Sequence, residues 1–214
     1  MPNAMKGIRL ILLFILFVLT GCFSLGREEP PQQHYVLGGS RMPETEASAE
    51  RLAGLAIGLR QLQLAEYLES PLVVVRQGLH QIHFSEFHRW GEDLGGGVNR
   101  AVAGYLAARV SFEGIDVVPW PPRTRHDYLI QIHLLRFEGL APQQLAAAGG
   151  EAYLLATWAI IGPQDGSMLA RGTTDYRARG WTVGDYDGLV TLLDAGLHEL
   201  SDDLIAALES LVAP

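Results

Sequence analysis

One cysteine in 214 residues, at position 22, is the strongest constraint in this chain. It excludes an intramolecular disulfide, a CxxC redox pair and a cysteine-rich zinc site, so the fold must be held by packing alone. Its position is as informative as its number. Residues 1–9 carry Lys6 and Arg9 and no acid, Leu10 to Leu19 read LILLFILFVL, and Thr20-Gly21-Cys22 follow. The apolar run is far shorter than the ~20 residues that span a bilayer as a helix. A basic start, a short apolar stretch and a small-residue end are instead the pattern of a removable secretory segment.

The string Leu19-Thr20-Gly21-Cys22 resembles a bacterial lipobox, in which Cys22 is diacylated on sulfur, with palmitate among the acyl chains, and becomes the first mature residue. Acyl chains at about 0.8 kcal/mol per buried CH₂ hold a protein at a membrane without spanning it. Phe23 follows the cysteine where inner-membrane lipoproteins carry Asp, so the resemblance implies delivery to the outer membrane, facing the periplasm. Loss of Lys6 and Arg9 takes the basic count from 16 to 14 against 24 acidic residues, a formal charge of −10. That balance argues against nucleic acid, which selects a basic surplus. It also argues against attachment to anionic lipid by charge alone.

The expected organisation is a signal peptide over residues 1–21, a lipidated tether over 22–33 and a single domain over 34–214. Residues 23–33 (FSLGREEPPQQ) are polar and without period, as a linker should be. Tyr35-Val36-Leu37 predicts a short strand. Between Leu52 and Leu64 the apolar parity switches from Leu55, Ile57 and Leu59 to Leu62 and Leu64, which predicts one strand with a bulge near Arg60-Gln61. Leu72 to Arg76 and Gln81 to Phe84 flank Gly78 and predict a hairpin.

From Glu86 onward Trp90, Leu94, Val98, Val102, Leu106 and Val110 recur at helical steps, and Gly95-Gly96-Gly97 suggest that the helix begins only after them. Strands are expected at Ile115 to Val118, Tyr128 to Phe137, Ala152 to Ile161 and Ser167 to Arg177. A final helix is expected after a cap at Asp185 or Asp187, with a Leu189, Leu193, Leu197, Leu200, Leu204, Leu208 stripe. The resulting class is α+β, a mostly antiparallel sheet with two helices packed on one face, in the order β-β-β-β-α-β-β-β-β-α.

A search for chemistry returns no catalytic, cofactor-binding or metal set. His80, His83, Glu86 and His88 are borderline-metal ligand types, but a strand at 81–84 turns His80 and His83 to opposite faces. Gly95-Gly96-Gly97 lack the GK[ST] of a phosphate loop and the GxGxxG spacing. No GxSxG elbow occurs. The acid pairs Glu92-Asp93 and Asp202-Asp203 are adjacent and cannot flank one bond on a helix, and His126-Asp127 and His198-Glu199 have no third partner in sequence. Four tryptophans, Trp90, Trp120, Trp158 and Trp181, read as packing more than as ligand stacking.

Taken in order, these segments resemble the ABC-transport auxiliary lipoproteins of the PqiC/YmbA type. The resemblance rests on the lipobox, Tyr35-Val36-Leu37, Tyr67-Leu68 before Pro71-Leu72-Val73-Val74-Val75-Arg76, Arg89-Trp90-Gly91-Glu92-Asp93-Leu94, Asp127-Tyr128 and Trp158. Gly95-Gly96-Gly97 and the Ala-rich stretch from Gly139 to Gly150 depart from it. It implies a non-catalytic accessory subunit without cofactor, docking an MCE-domain periplasmic protein of an intermembrane lipid transport system. Only Cys22 carries over as a functional position, and partner-contact residues are not specified. A periplasmic carrier of lipid or small hydrophobes is the alternative, and self-assembly around a conduit is a further expectation.

Overall fold

In a computed structural model, the described residues are 30–39, 50–121, 124–143 and 149–213, and all but Pro30 and Pro31 belong to the compact unit Gln32–Pro214. The signal segment, Cys22 and the lipobox lie outside them. Among the described residues, nine strands and two α-helices follow in the order β1 (Gln33–Tyr35), β2 (Ala56–Leu59), β3 (Gln63–Leu64), β4 (Leu72–Gln77), β5 (Gln81–Trp90), α1 (Leu94–Arg109), β6 (Gly114–Val117), β7 (Tyr128–Ala141), β8 (Gly149–Ile161), β9 (Met168–Thr182) and α2 (Tyr186–Val212). The α+β class with both long helices stands.

The sheet is mixed, which corrects the mostly antiparallel expectation. β7, β8 and β9 form an antiparallel meander. The opposite edge of β7 is shared by three short strands running parallel to it: β2 beside Tyr128 to Ile130, β3 beside His133 and Leu134, and β4 beside Gly139 to Ala141. Residues 56–77 are therefore one long interrupted course laid along β7. β6 joins β2 in parallel, β5 pairs antiparallel with β4, and β1 pairs parallel with β5. The parity switch read near Arg60-Gln61 is real, but it separates two strands instead of bulging one, so five strands and not four precede α1. The backbone N–H groups of Arg60 and Ala65 still donate to Ile130 and Leu134 across the breaks. Backbone pairing is thus kept where the strands are interrupted.

Two further expectations are corrected. β5 extends to Trp90, because His88 and Arg89 pair with β1 and Arg89 also meets Leu72 of β4; the helical spacing of Trp90 was coincidental. α1 starts at Leu94, with the three glycines inside its first turns, because Asp93 caps it by accepting a 2.8 Å hydrogen bond from the Gly96 N–H. A side-chain cap contributes about 1 kcal/mol and offsets part of the helix-propensity deficit of glycine. Asp185 caps α2 in the same way.

Both helices pack on each other and on one face of the sheet. The leucine stripe of α2 is fully buried against Ile130, Ile132 and Leu134 of β7 and Ala152, Leu154 and Ala156 of β8. Each such leucine contributes roughly 1.5–3 kcal/mol. The approach is close at Gly196, where a Cβ would lie 3.2 Å from Leu154 and 2.8 Å from the Tyr176 ring. A register shift between Leu134 and Arg136 inverts the parity of β7, so Phe137 and Gly139 complete this face where Ile130 to Leu134 began it. Beyond them the Trp181 ring lies on Gly150, whose added Cβ would fall 2.5 Å from it.

Candidate functional site

The helices leave the other face of the sheet bare, and the polar residues converge there. At its centre Glu138 is completely buried. The Arg76 Nε donates to its Oε1 at 2.6 Å and Nη2 to its Oε2 at 3.3 Å, while the Arg136 Nη1 donates to Oε1 at 3.0 Å. Aromatic rings flank the pair: Arg76 lies 5.7 Å from the Tyr67 centroid, and Arg136 and Arg177 lie 5.9 and 4.2 Å from that of Tyr153. Burial and the neighbouring carboxylate push the Tyr67 phenol well above its usual range. A carboxylate enclosed by two guanidinium groups is held as an ion pair and is not offered as a general base. This cluster braces the face.

Beside it run two adjoining open grooves. One, of about 770 Å³, lies between Arg60 to Leu64, Trp120 and β7; the second, of about 580 Å³, continues from β7 to β9, and Gln63, Gln131 and His133 belong to both. The sequence flagged none of Glu138, His133 or Arg171 as functional. Alternation along β7 and β9 was a usable signal, but nothing local says which face the helices will cover.

The residues weighed from sequence are dispersed. His83 Nε2 lies 3.2 Å from Gln77 Oε1 at the β4–β5 hairpin, while His88 stacks at 3.8 Å on Tyr186 of α2 and lies near Tyr35. Among the described residues no three His, Cys, Asp or Glu side chains group as metal ligands. Burial lowers the pKa of His88, and likewise that of His198, which stacks on Tyr105. Burial, with Asp187 nearby, pushes the Tyr35 phenol up to about 12.

Each acid pair divides between structural tasks: Asp93 caps α1 and Glu92 pairs with Arg100, while Asp202 pairs with Arg109 and Asp203 accepts a 2.6 Å bond from Thr174. Asp127 accepts from the Ala56 N–H, and His126 Nε2 lies 2.9 Å from Asp116. Trp90 and Trp181 are core, and the Trp158 Nε1–H reaches Thr174 at 3.3 Å. Among the described residues no helix is long and apolar enough to cross a membrane.

These features define an α+β domain whose polar clusters, among the described residues, are tied up in structure. The profile of the ABC-type transport auxiliary lipoprotein component family matches residues 35–205, and the chain belongs to that family. The family's description makes it an auxiliary component of transport, in keeping with a non-enzyme. Among solved structures, a DUF330-family protein from Xanthomonas campestris aligns with TM-score 0.63 at 14% identity, covering 82% of this chain and 90% of its own. A second crystal structure, of an uncharacterised protein, aligns with TM-score 0.62 at 15% identity, covering 84% and 99%. At these identities the likeness speaks to the fold alone. No curated protein matches the chain.

Proposed function

We propose that this protein is a non-catalytic accessory subunit of an MCE/ABC-type intermembrane lipid transport system, anchored to the outer membrane through lipid on Cys22 and facing the periplasm. The carrying observation is the family match over residues 35–205, which makes the chain an auxiliary component of ABC-type transport. The lipobox-like Leu19-Thr20-Gly21-Cys22, with Phe23 after it, supports the anchor and the membrane. In this reading residues 1–21 are removed, 22–33 tether the domain, and 34–214 dock the MCE conduit, with self-assembly around it. Twelve residues from Cys22 to Gln33 span at most roughly 43 Å when extended, so the domain works close to the membrane surface.

Crosslinking in intact cells, then recovery of the lipoprotein from outer-membrane extracts and mass spectrometry of its partners, tests this. Capture of an MCE-domain protein is the expected result. Recovery in the inner-membrane fraction, or without any MCE protein, overturns it. Cys22→Ser is expected to release the protein from the membrane.

A further inference from the structure

The strand register sets the side chains of the helix-free face in rows. Leu129, Ile161 and Met168 form one row; Gln131, Ala159 and Arg171 form the next; Gln63, His133, Thr157 and Thr173 form the third. Residues directly opposite on neighbouring strands hold their Cβ atoms ~4.5–5.5 Å apart, and rows two residues apart are ~7 Å apart. Ala159, the smallest side chain of the middle row, leaves a depression between Gln131 and Arg171. The groove of about 580 Å³ lies there.

Its chemistry departs from that of the whole chain. The sequence holds 24 acidic residues against 16 basic, yet the polar part of the groove's lining is Arg171, His133, two glutamines and two threonines, beside Trp158, Ala159 and Met168, with no carboxylate. Arg76, Arg100, Arg109, Arg136, Arg177 and Arg179 each pair with a carboxylate. Arg171 has no ion pair or side-chain hydrogen bond among the described residues and is exposed. A free guanidinium beside neutral hydrogen-bonding groups suits an oxyanion, and its planar fork matches two phosphate oxygens. One row away, Leu129 and Ile161 are half-buried and Met168 is 60% exposed, an apolar strip alongside the anion-favouring one.

We propose that this groove binds a phosphate-bearing amphiphile, the phosphate on Arg171 with hydrogen bonds from His133 and the threonines, and the adjoining apolar part against Met168, Ile161 and Leu129. A phospholipid headgroup with its glycerol and first methylenes has that juxtaposition. The assignment rests on the groove and does not need the MCE partner, so the crosslinking experiment and this one fail separately.

The full chain, solubilised in a neutral detergent, is titrated calorimetrically with dihexanoyl phosphatidylglycerol, inorganic phosphate and dihexanoylglycerol. Saturable binding of phosphatidylglycerol, weaker binding of inorganic phosphate and none of the phosphate-free lipid are expected. Arg171→Ala removes charge-assisted hydrogen bonds and should weaken phosphatidylglycerol roughly ten- to a hundredfold. Met168→Ser should weaken the lipid a few-fold and leave inorganic phosphate unchanged. Arg179→Ala, at a 90% exposed side chain paired with Glu151, should change neither. No saturable binding, or equal losses in Arg171→Ala and Arg179→Ala, overturns the site. Inorganic phosphate binding as tightly as the lipid, with Met168→Ser silent, overturns the amphiphile and leaves a free-phosphate site.

Discussion

Phe137 and Glu138 are consecutive in β7 and both essentially fully buried, yet they belong to opposite faces with opposite physics. On the Phe137 side, the helices supply an apolar cover and the ring packs 5.7 Å from Trp90 within the core. On the Glu138 side neither α1 nor α2 arrives, and the carboxylate is enclosed by arginines that lie among tyrosine rings. The two burials differ in what their removal exposes. Loss of the ring leaves a void among groups that cannot rehydrate, whereas loss of the carboxylate leaves guanidinium groups with some reach to water. The covered face is consequently the stability reservoir, and the bare face is free to carry polar recognition.

Three variants sharpen or break this contrast, from the largest effect down. Phe137→Ala is expected to cost about 3–5 kcal/mol, read as a lowered denaturation midpoint with unchanged m-value. Glu138→Ala should cost less, about 1–3 kcal/mol, because Arg76 and Arg136 retain 13% and 35% side-chain exposure and recover part of their hydration. A larger loss from Glu138→Ala than from Phe137→Ala, in parallel urea titrations, would reverse the ranking of the two faces.

The smallest effect is a pH dependence on the covered side. His88 faces Tyr35, Tyr186 and Asp187, and burial outweighs the attraction of Asp187 to hold its folded pKa below the ordinary value of 6.5. Below about pH 6.5 the unfolded chain therefore takes up this proton first, and stability falls as pH falls toward the folded pKa. His88→Phe should flatten the decline in Tm between pH 7 and pH 5 relative to the parent protein. An unchanged slope would remove His88 from the acid response.

Much of the architecture was legible where the signal is local. The leucine stripe of α2 with a cap at Asp185 or Asp187, of which Asp185 is the one used, the strands β7, β8 and β9 and the parity break near Arg60 all follow from period and turn chemistry. Trp90 misled because a residue at the end of a strand can share helical spacing with the helix that follows it. The Gly139 to Gly150 stretch read as a connection, yet both of its ends are strand, and Gly150 lies under the Trp181 ring. No local pattern announces a glycine required by a tryptophan 31 positions away.

The candidate groove was illegible for the same reason. Gln63, His133, Thr157 and Thr173 come from four strands, and only pairing sets them in one row.

By itself the sequence determined which segments alternate, that two long segments wind, and that a lone cysteine ends an apolar leader-like run, since each depends on neighbours within a few residues. Tertiary structure alone decided that residues 56–77 run parallel to β7, that the helices cover the Phe137 face, and that Glu138 is sealed by Arg76 from another strand. Periodicity encodes how a strand presents its two faces; it does not encode which strand lies beside it, in which direction, or which face meets the helices. Those choices are made by the burial of the whole apolar surface at once.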